Sequence, residues 1–429
     1  MKINRRTFLA ACASATPAVA QNRPLNILLI MADDLGAKEL GCYGNRKHRT
    51  PNLDRMASEG VRFETCYATP LCSPSRVLLM TGKYGFRTGF TNFIGRVTTR
   101  KERLPADEYT FADMMKAHGY ATGLAGKWQL GLVSKHPTMI HDSGFDHYFA
   151  WAWTTGGLPD GAAHIGRERN RYFDPAIIED GKYVPTKKTD YGPDLYSDWI
   201  IRFMEKNKDR PFFAYWPEPL THEPSDPTPD NEAGGFQANV EYLDKTVGKV
   251  LRYLETSGLA KNTVVFFTGD NGSGDDGKGN VEEAGVRVPF LARGPGIRKG
   301  HVSRELIEFS DVLPTIAALT GSKLPPGPLD GLSFAHILQG RPGGSRDWIF
   351  SYLAYERMLR DKRWLLEGDG KFFDCGESRD GSGYKDVTAS KDPEVVAARA
   401  RFGKTLEKLP APPREAEGQP ARRRRKRAQ

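Results

Sequence analysis

Two short polar clusters carry the chemistry most easily read from this chain. Asp33-Asp34 follows an apolar run over residues 25–31, and Asp270-Asn271 follows another that ends at Phe267. All four side chains are hard oxygen donors. No Cys/His pair in the sequence has zinc-ligand spacing, so the donor set points to Ca2+ or Mg2+. Lys127 comes just after the apolar stretch 121–125, and His222 follows the run ending at Trp216. Cys72-Ser73-Pro74-Ser75-Arg76 adds a thiol and a guanidinium one helical turn apart, which places both on one helix face. Each group has a plain reading when taken alone. An acidic pair can cap a helix, Asp270-Asn271-Gly272 is a common turn, and a small cysteine packs well where a helix begins. What favours a site is that every one of them follows a predicted strand.

The elements that would position these groups alternate in type. The continuous apolar run 25–31 predicts a buried parallel strand, with further strands over 61–68, 121–125, 212–216, 264–267 and 288–292. Helices are expected from Pro51 to Gly60 with Thr50 as cap, from Thr110 to Gly119, and over 194–206, 236–257 and 311–319. This alternation predicts an α/β protein: a large, mostly parallel central sheet flanked by helices. In such sheets, sites form beyond the carboxyl ends of the strands, where the acids, Lys127 and His222 fall.

Composition excludes several classes. The formal charge is +9, but Arg422 to Arg427 contribute six positive charges and Lys2, Arg5 and Arg6 three more, so the body is neutral. A broad nucleic-acid surface on the fold is therefore not expected. Apart from the N-terminal segment, no apolar run approaches the roughly 18 residues of a membrane span. Asn4-Arg5-Arg6-Thr7-Phe8-Leu9, a small apolar stretch and Ala18-Val19-Ala20 have the form of a twin-arginine export signal, residues 1–20. Export to a bacterial periplasm or beyond is the expectation. Lipidation at Cys12 ranks second, because almost no apolar region precedes it. Cys42, Cys66, Cys72 and Cys375 are too few for a disulfide scaffold, although a Cys42–Cys66 bridge stays open. Residues 411–429 read as a basic tail.

Cys72-Ser73-Pro74-Ser75-Arg76, followed by Thr81-Gly82-Lys83, resembles the modification signal of the type I sulfatases, a formylglycine-dependent, arylsulfatase-like family of the alkaline phosphatase superfamily. Residues 26–36 resemble the family's first strand and metal loop, and 119–128 its second signature. Thr268 to Gly272 resembles the second metal loop, and 278–289 the active-site lysine segment. The blocks keep the family order over about nine tenths of the chain. The resemblance implies a catalytic domain over 21–345 and a small C-terminal β-sheet with a helix over 346–410.

It also implies roles. A formylglycine-generating enzyme would convert Cys72 to Cα-formylglycine, whose hydrate attacks sulfur. Asp33, Asp34, Asp270, Asn271 and residue 72 would hold the Ca2+ or Mg2+ ion. Arg76 would hold the hydrate, and Lys127 would contact it and the sulfate. His222 and Lys278 would serve the leaving oxygen, with His222 the better acid for a pKa near working pH. Lys83 would be a further cation for sulfate. One position departs from the family: Gly126-Lys127-Trp128-Gln129-Leu130-Gly131 has Gln129 where the family has histidine, and glutamine is no base near neutral pH. His136, His141, Lys127 or water would then have to take that proton.

The implied activity is hydrolysis of a sulfate ester, with a sulfated carbohydrate as the expected partner. Trp151, Trp153, Tyr172 and Phe173 offer rings that either stack on sugars or pack locally. Two other readings stay open here. One is a phosphate or phosphonate ester hydrolase, which the same superfold supports. The other is a non-catalytic binder of sulfated glycans, which Gln129 alone favours.

Overall fold

The structure, a computed structural model, describes residues 23–94, 102–133, 135–152 and 171–410. The leader, Trp153 and the basic tail lie outside these residues. Strand β1, Asn26–Ala32, runs through the centre of a ten-stranded sheet. Its side chains divide by parity. Ile27, Leu29 and Met31 enter one core, and Leu28, Ile30 and Ala32 enter the other. A strand covered on both faces must be apolar at every position, as the sequence is.

The remaining strands of this sheet are β2 (Val61–Tyr67), β3 (Ala121–Gly126), β4 (His147–Trp151), β5 (Ile177–Glu179), β6 (Lys182–Val184), β7 (Phe212–Glu218), β8 (Thr263–Gly269), β9 (Phe290–Arg293) and β10 (His301–Glu308). Their spatial order is β10-β2-β9-β8-β1-β7-β3-β4-β5-β6. Strand β1 pairs in parallel with β7 and β8, and β3 in parallel with β7 and β4. Strand β9 is antiparallel to both β8 and β2, so β2 again points with β1. The carboxyl ends of β1, β2, β3, β7 and β8 thus open on one edge.

Helices Pro51–Ser58, Gly192–Lys206 and Phe236–Thr256 cover one face, and Cys72–Thr81, Phe111–Ala117 and Val312–Thr320 cover the other. Thr110 caps its helix through a reciprocal pair with Asp113: its hydroxyl accepts from the backbone of Ala112 and Asp113, and the Asp113 carboxylate accepts from Thr110 N–H. Thr50 does not cap in this way. Its hydroxyl donates to Asp54 and accepts from Gly41 N–H, so it ties the preceding loop instead.

A second sheet of five antiparallel strands follows in simple sequence order: β11 (Trp348–Leu353), β12 (Glu356–Asp361), β13 (Trp364–Leu366), β14 (Phe372–Asp374) and β15 (Lys385–Asp386). Helix Pro393–Leu406 packs Phe402 edge-on against Phe372, which stacks on Trp364. Among the described residues no helix is long and apolar enough to cross a membrane.

Candidate active site

The site grows from strand ends. Asp33 N–H donates to Leu220 O (2.8 Å) and Thr221 N–H to Asp33 O (2.6 Å), so the loop after β7 is stitched to the end of β1. Asp270 N–H donates to Ala32 O, and its carboxylate takes Asp34 N–H at 2.9 Å. Asp34 adopts a left-handed backbone, φ 59°, a conformation that Asp tolerates better than most residues. Ligand atoms of Asp33, Asp34 and Asp270 lie within 4.8 Å of one another.

Three buried carboxylates this close repel. Asp270 is pushed up to about 7, first by burial and then by Asp33. Burial alone would raise Asp33 too, but the Lys127 and Arg76 cations hold it well below the usual range. Asp33 Oδ1 and Asn271 Oδ1 are buried without a hydrogen bond. Orphaned oxygens beside crowded carboxylates are what a hard divalent cation satisfies, so the donor set fits Ca2+ or Mg2+.

Cys72 opens its helix, and Pro74 sits in the first turn, where no N–H partner is needed. One turn on, Arg76 donates to Asp270 Oδ2 from Nη2 (2.8 Å) and to Lys127 O from Nη1 (2.7 Å). Lys127 Nζ donates to Asp33 Oδ2 at 2.5 Å. Lys278 Nζ donates to Asp34 Oδ2 at 2.6 Å and lies 2.8 Å from His222 Nε2. Glu223 O can only accept, so the 2.5 Å contact at His222 Nδ1 places the ring proton there. Nε2 is then the acceptor for the Lys278 ammonium. Burial pushes the His222 imidazole down to about 4. Burial would also lower Lys278, but Asp34, Cys72 and Asp33 together outweigh it and the ammonium is held above its ordinary range. The sequence alone places the His222 pKa near working pH; burial of the ring sets it lower.

A family description, Sulfatase, matches residues 25–322. Arylsulfatase A of Homo sapiens is 34% identical over 431 residues, spanning 92% of this chain and 82% of that protein. The chain belongs to the sulfatase family. N-acetylgalactosamine-6-sulfatase of Homo sapiens is also 34% identical, over 74% of this chain and 67% of its own. Among solved structures, Ps i-CgsB in complex with k-i-k-neocarrahexaose is 25% identical, with a TM-score of 0.74 over 89% of this chain and 93% of that one. This sulfatase is accordingly a sulfuric ester hydrolase.

The structure brings Asp33, Asp34, Arg76, Lys127, His222, Asp270, Asn271 and Lys278 into one cluster, with Cys72 beside it. Gln129 is buried next to it: its carbonyl accepts from Ser73 Oγ at 3.2 Å, and its φ of 59° is left-handed. Lys83 is not part of this sulfatase's cluster. It lies past the far end of the Cys72 helix and pairs with Glu108 at 3.1 Å. The ten residues of that helix put about 15 Å between its two ends. His141 is also elsewhere: Nδ1 meets Phe145 O, and the ring packs on Tyr148. None of the cluster's hydrogen bonds reaches His136.

The three described aromatic residues of this set, Trp151, Tyr172 and Phe173, pack rather than form a platform; Trp153 lies outside the described residues. Trp151 is buried under the Arg171 guanidinium, and Phe173 lies against Tyr191. Tyr172 is buried and donates to His222 O at 2.7 Å. Sequence reasoning missed this brace on the histidine loop, since nothing in the spacing links Tyr172 to a residue fifty positions away. Cys42 and Cys66 are both free, so no bridge joins them.

Proposed function

We propose that this sulfatase hydrolyses sulfate esters of carbohydrates, using Cα-formylglycine made from Cys72 and a Ca2+ or Mg2+ ion held by Asp33, Asp34, Asp270, Asn271 and residue 72. The observation that carries the reading is the closed cluster of three carboxylates and orphaned oxygens around the start of the Cys72 helix. The state of Cys72 itself adds support. Burial raises its thiol pKa, so the unmodified side chain is a poor nucleophile at neutral pH. When present, the ion and the hydrated aldehyde supply charge neutralisation and an activated oxygen nucleophile.

The chain's own residues do the rest. Arg76, fixed by Asp270 and the Lys127 carbonyl, presents its guanidinium to residue 72. Lys127 offers an ammonium to the sulfate oxygens. Lys278 holds the proton that the leaving alkoxide oxygen needs, and neutral His222 orients that ammonium through Nε2. This reverses the order expected from sequence, in which His222 was the acid. The alkoxide leaves protonated and Lys278 regains its proton from solvent.

Carbohydrate is favoured by the relatives. A 34% identical protein is named for a sulfated sugar, and a 25% identical structure holds a carrageenan-type oligosaccharide. Maturation would need a formylglycine-generating enzyme, and export would follow from Arg5-Arg6 and Ala18-Val19-Ala20. The decisive experiment is the mass of the peptide containing residue 72, coupled to sulfate release. Replacement of SH2 by O lowers the mass by about 18 Da, as expected when an activated nucleophile replaces a thiol. Excess chelator should abolish turnover and Ca2+ or Mg2+ should restore it. Unmodified cysteine in a fully active enzyme would end this reading.

A further inference from the structure

The segment that carries Lys278 has one short helical turn of its own, Gly274–Gly277, closed by Lys278 N–H donating to Gly274 O at 2.9 Å. Gly274, Gly277 and Gly279 interrupt it, and Gly274 and Gly279 adopt positive φ. Such a stretch costs backbone entropy to fix and does not hold a lysine in place unaided. Its further restraints come from outside. Gly279 N–H donates to Pro70 O at 2.6 Å, two residues before Cys72. Further along, Gly272 N–H donates to Gly285 O and Ala68 N–H to Val286 O within the catalytic domain, and the C-terminal sheet adds its own ties. Gly368 N–H donates to Val281 O at 2.7 Å, and Glu283 N–H donates to the Glu367 carboxylate at 2.9 Å.

One further tie is an ion pair between a buried arginine and a partly buried glutamate. Glu283 Oε2 accepts from Arg360 Nη1 at 3.2 Å and from the Tyr67 hydroxyl at the end of β2. Arg360 stands on β12, is fully buried, and is itself fixed by Nη2 donating to Ser378 O at 2.8 Å. One carboxylate, five residues beyond Lys278, thus joins the catalytic sheet to the second sheet. A pair of this kind is weak evidence for stability, but it does fix geometry.

We propose that Arg360 is a positioning residue for Lys278, acting through the Glu283 carboxylate, so that the C-terminal sheet sets where the leaving-group ammonium stands. This rests on the reading of Lys278 as the donor to the leaving oxygen. A donor matters in proportion to how badly the leaving group needs a proton. Misplacing it should harm esters of weakly acidic alcohols far more than esters of acidic phenols.

The experiment measures kcat and KM of the mature, metal-loaded enzyme on 4-nitrophenyl sulfate and on phenyl sulfate. Glu283→Gln, Arg360→Lys and Lys278→Ala are compared with wild type, with folding checked by thermal denaturation. Glu283→Gln keeps the side-chain shape and serves if Arg360→Lys does not fold. The expected result is a kcat loss of about 10–100-fold on phenyl sulfate but under about 3-fold on 4-nitrophenyl sulfate, with KM little changed. Lys278→Ala should show the same selectivity more strongly. An equal loss on both substrates, or none, in the Glu283 and Arg360 variants while Lys278→Ala stays selective would overturn the positioning role alone. Loss of selectivity in Lys278→Ala itself would overturn the donor reading and this inference with it.

Discussion

At the residue scale the sharpest question is Gln129. It is buried beside the Cys72 helix in a left-handed conformation that costs a non-Gly, non-Asx residue roughly 1–2 kcal/mol. The cost is retained although the amide can donate and accept but not take a proton near neutral pH. With no base at this position, release of sulfate from residue 72 is, under the proposed mechanism, expected to lag. Rapid mixing should show a burst of alcohol close to the enzyme concentration, followed by slower turnover with sulfate trailing. Gln129→His should raise the steady rate by about 10²–10⁴-fold, the usual worth of a placed base. If the wild type shows no burst and the histidine brings no gain, another group takes the proton, and Gln129 serves only in binding.

At the scale of elements, β7 shows a strand end built around a buried carboxyl. Glu218, its last residue, is fully buried and accepts from Trp216 Nε1–H at 2.9 Å and Leu220 N–H at 3.3 Å. Burial pushes its carboxyl up to about 8, from an ordinary value of 4.5. The folded state thus holds a proton that the unfolded chain loses above 4.5. Stability should be greatest at acid pH with respect to this group and fall between about pH 4.5 and 8, by a few kcal/mol. Glu218→Gln should flatten that part of the curve of denaturation midpoint against pH. An unchanged slope would mean that Glu218 is already ionised in the fold. Nothing in the sequence marked this carboxylate as buried, since it lies past the apolar run that ends at Trp216. The strand ends themselves were legible, because β1, β7 and β8 are buried on both faces and leave continuous apolar runs. Strands β4 to β6 and β10 were not. They are short or, like His301–Glu308, polar on their exposed side, so neither period nor hydrophobicity marks them. Lys83 misled for a related reason: a motif fixes spacing along the helix, not which end of it meets the site.

At the scale of the whole molecule, one buried charge cluster locks the two sheets together. Glu308, at the end of β10, accepts from the Tyr84 hydroxyl (2.6 Å) just after the Cys72 helix and from Phe350 N–H (2.7 Å) on β11. Arg346, in the connection before β11, pairs with Glu308 at 3.2 Å and with Asp311 at 2.6 Å. Burial raises both carboxyls, Glu308 to about 7, while Arg346 opposes the shift. The sign for the wild type follows: the raised Glu308 value favours the fold at acid pH, and that advantage is lost between about pH 4.5 and 7. Removing the guanidinium leaves two buried acids without a counter-charge. Arg346→Met should therefore cost about 3–5 kcal/mol at pH 8, read from urea midpoints and slopes. The penalty should shrink as pH falls below about 7, where Glu308 is protonated in both proteins, and further where Asp311 also takes a proton. The same substitution should loosen the seam that carries Arg360. In partial urea a selective loss of turnover on phenyl sulfate relative to 4-nitrophenyl sulfate should then precede global unfolding. An equal penalty at pH 5 and pH 8 would assign the effect to packing of the Arg346 stem rather than to charge, and would remove the electrostatic lock from the account of how the sheets are joined.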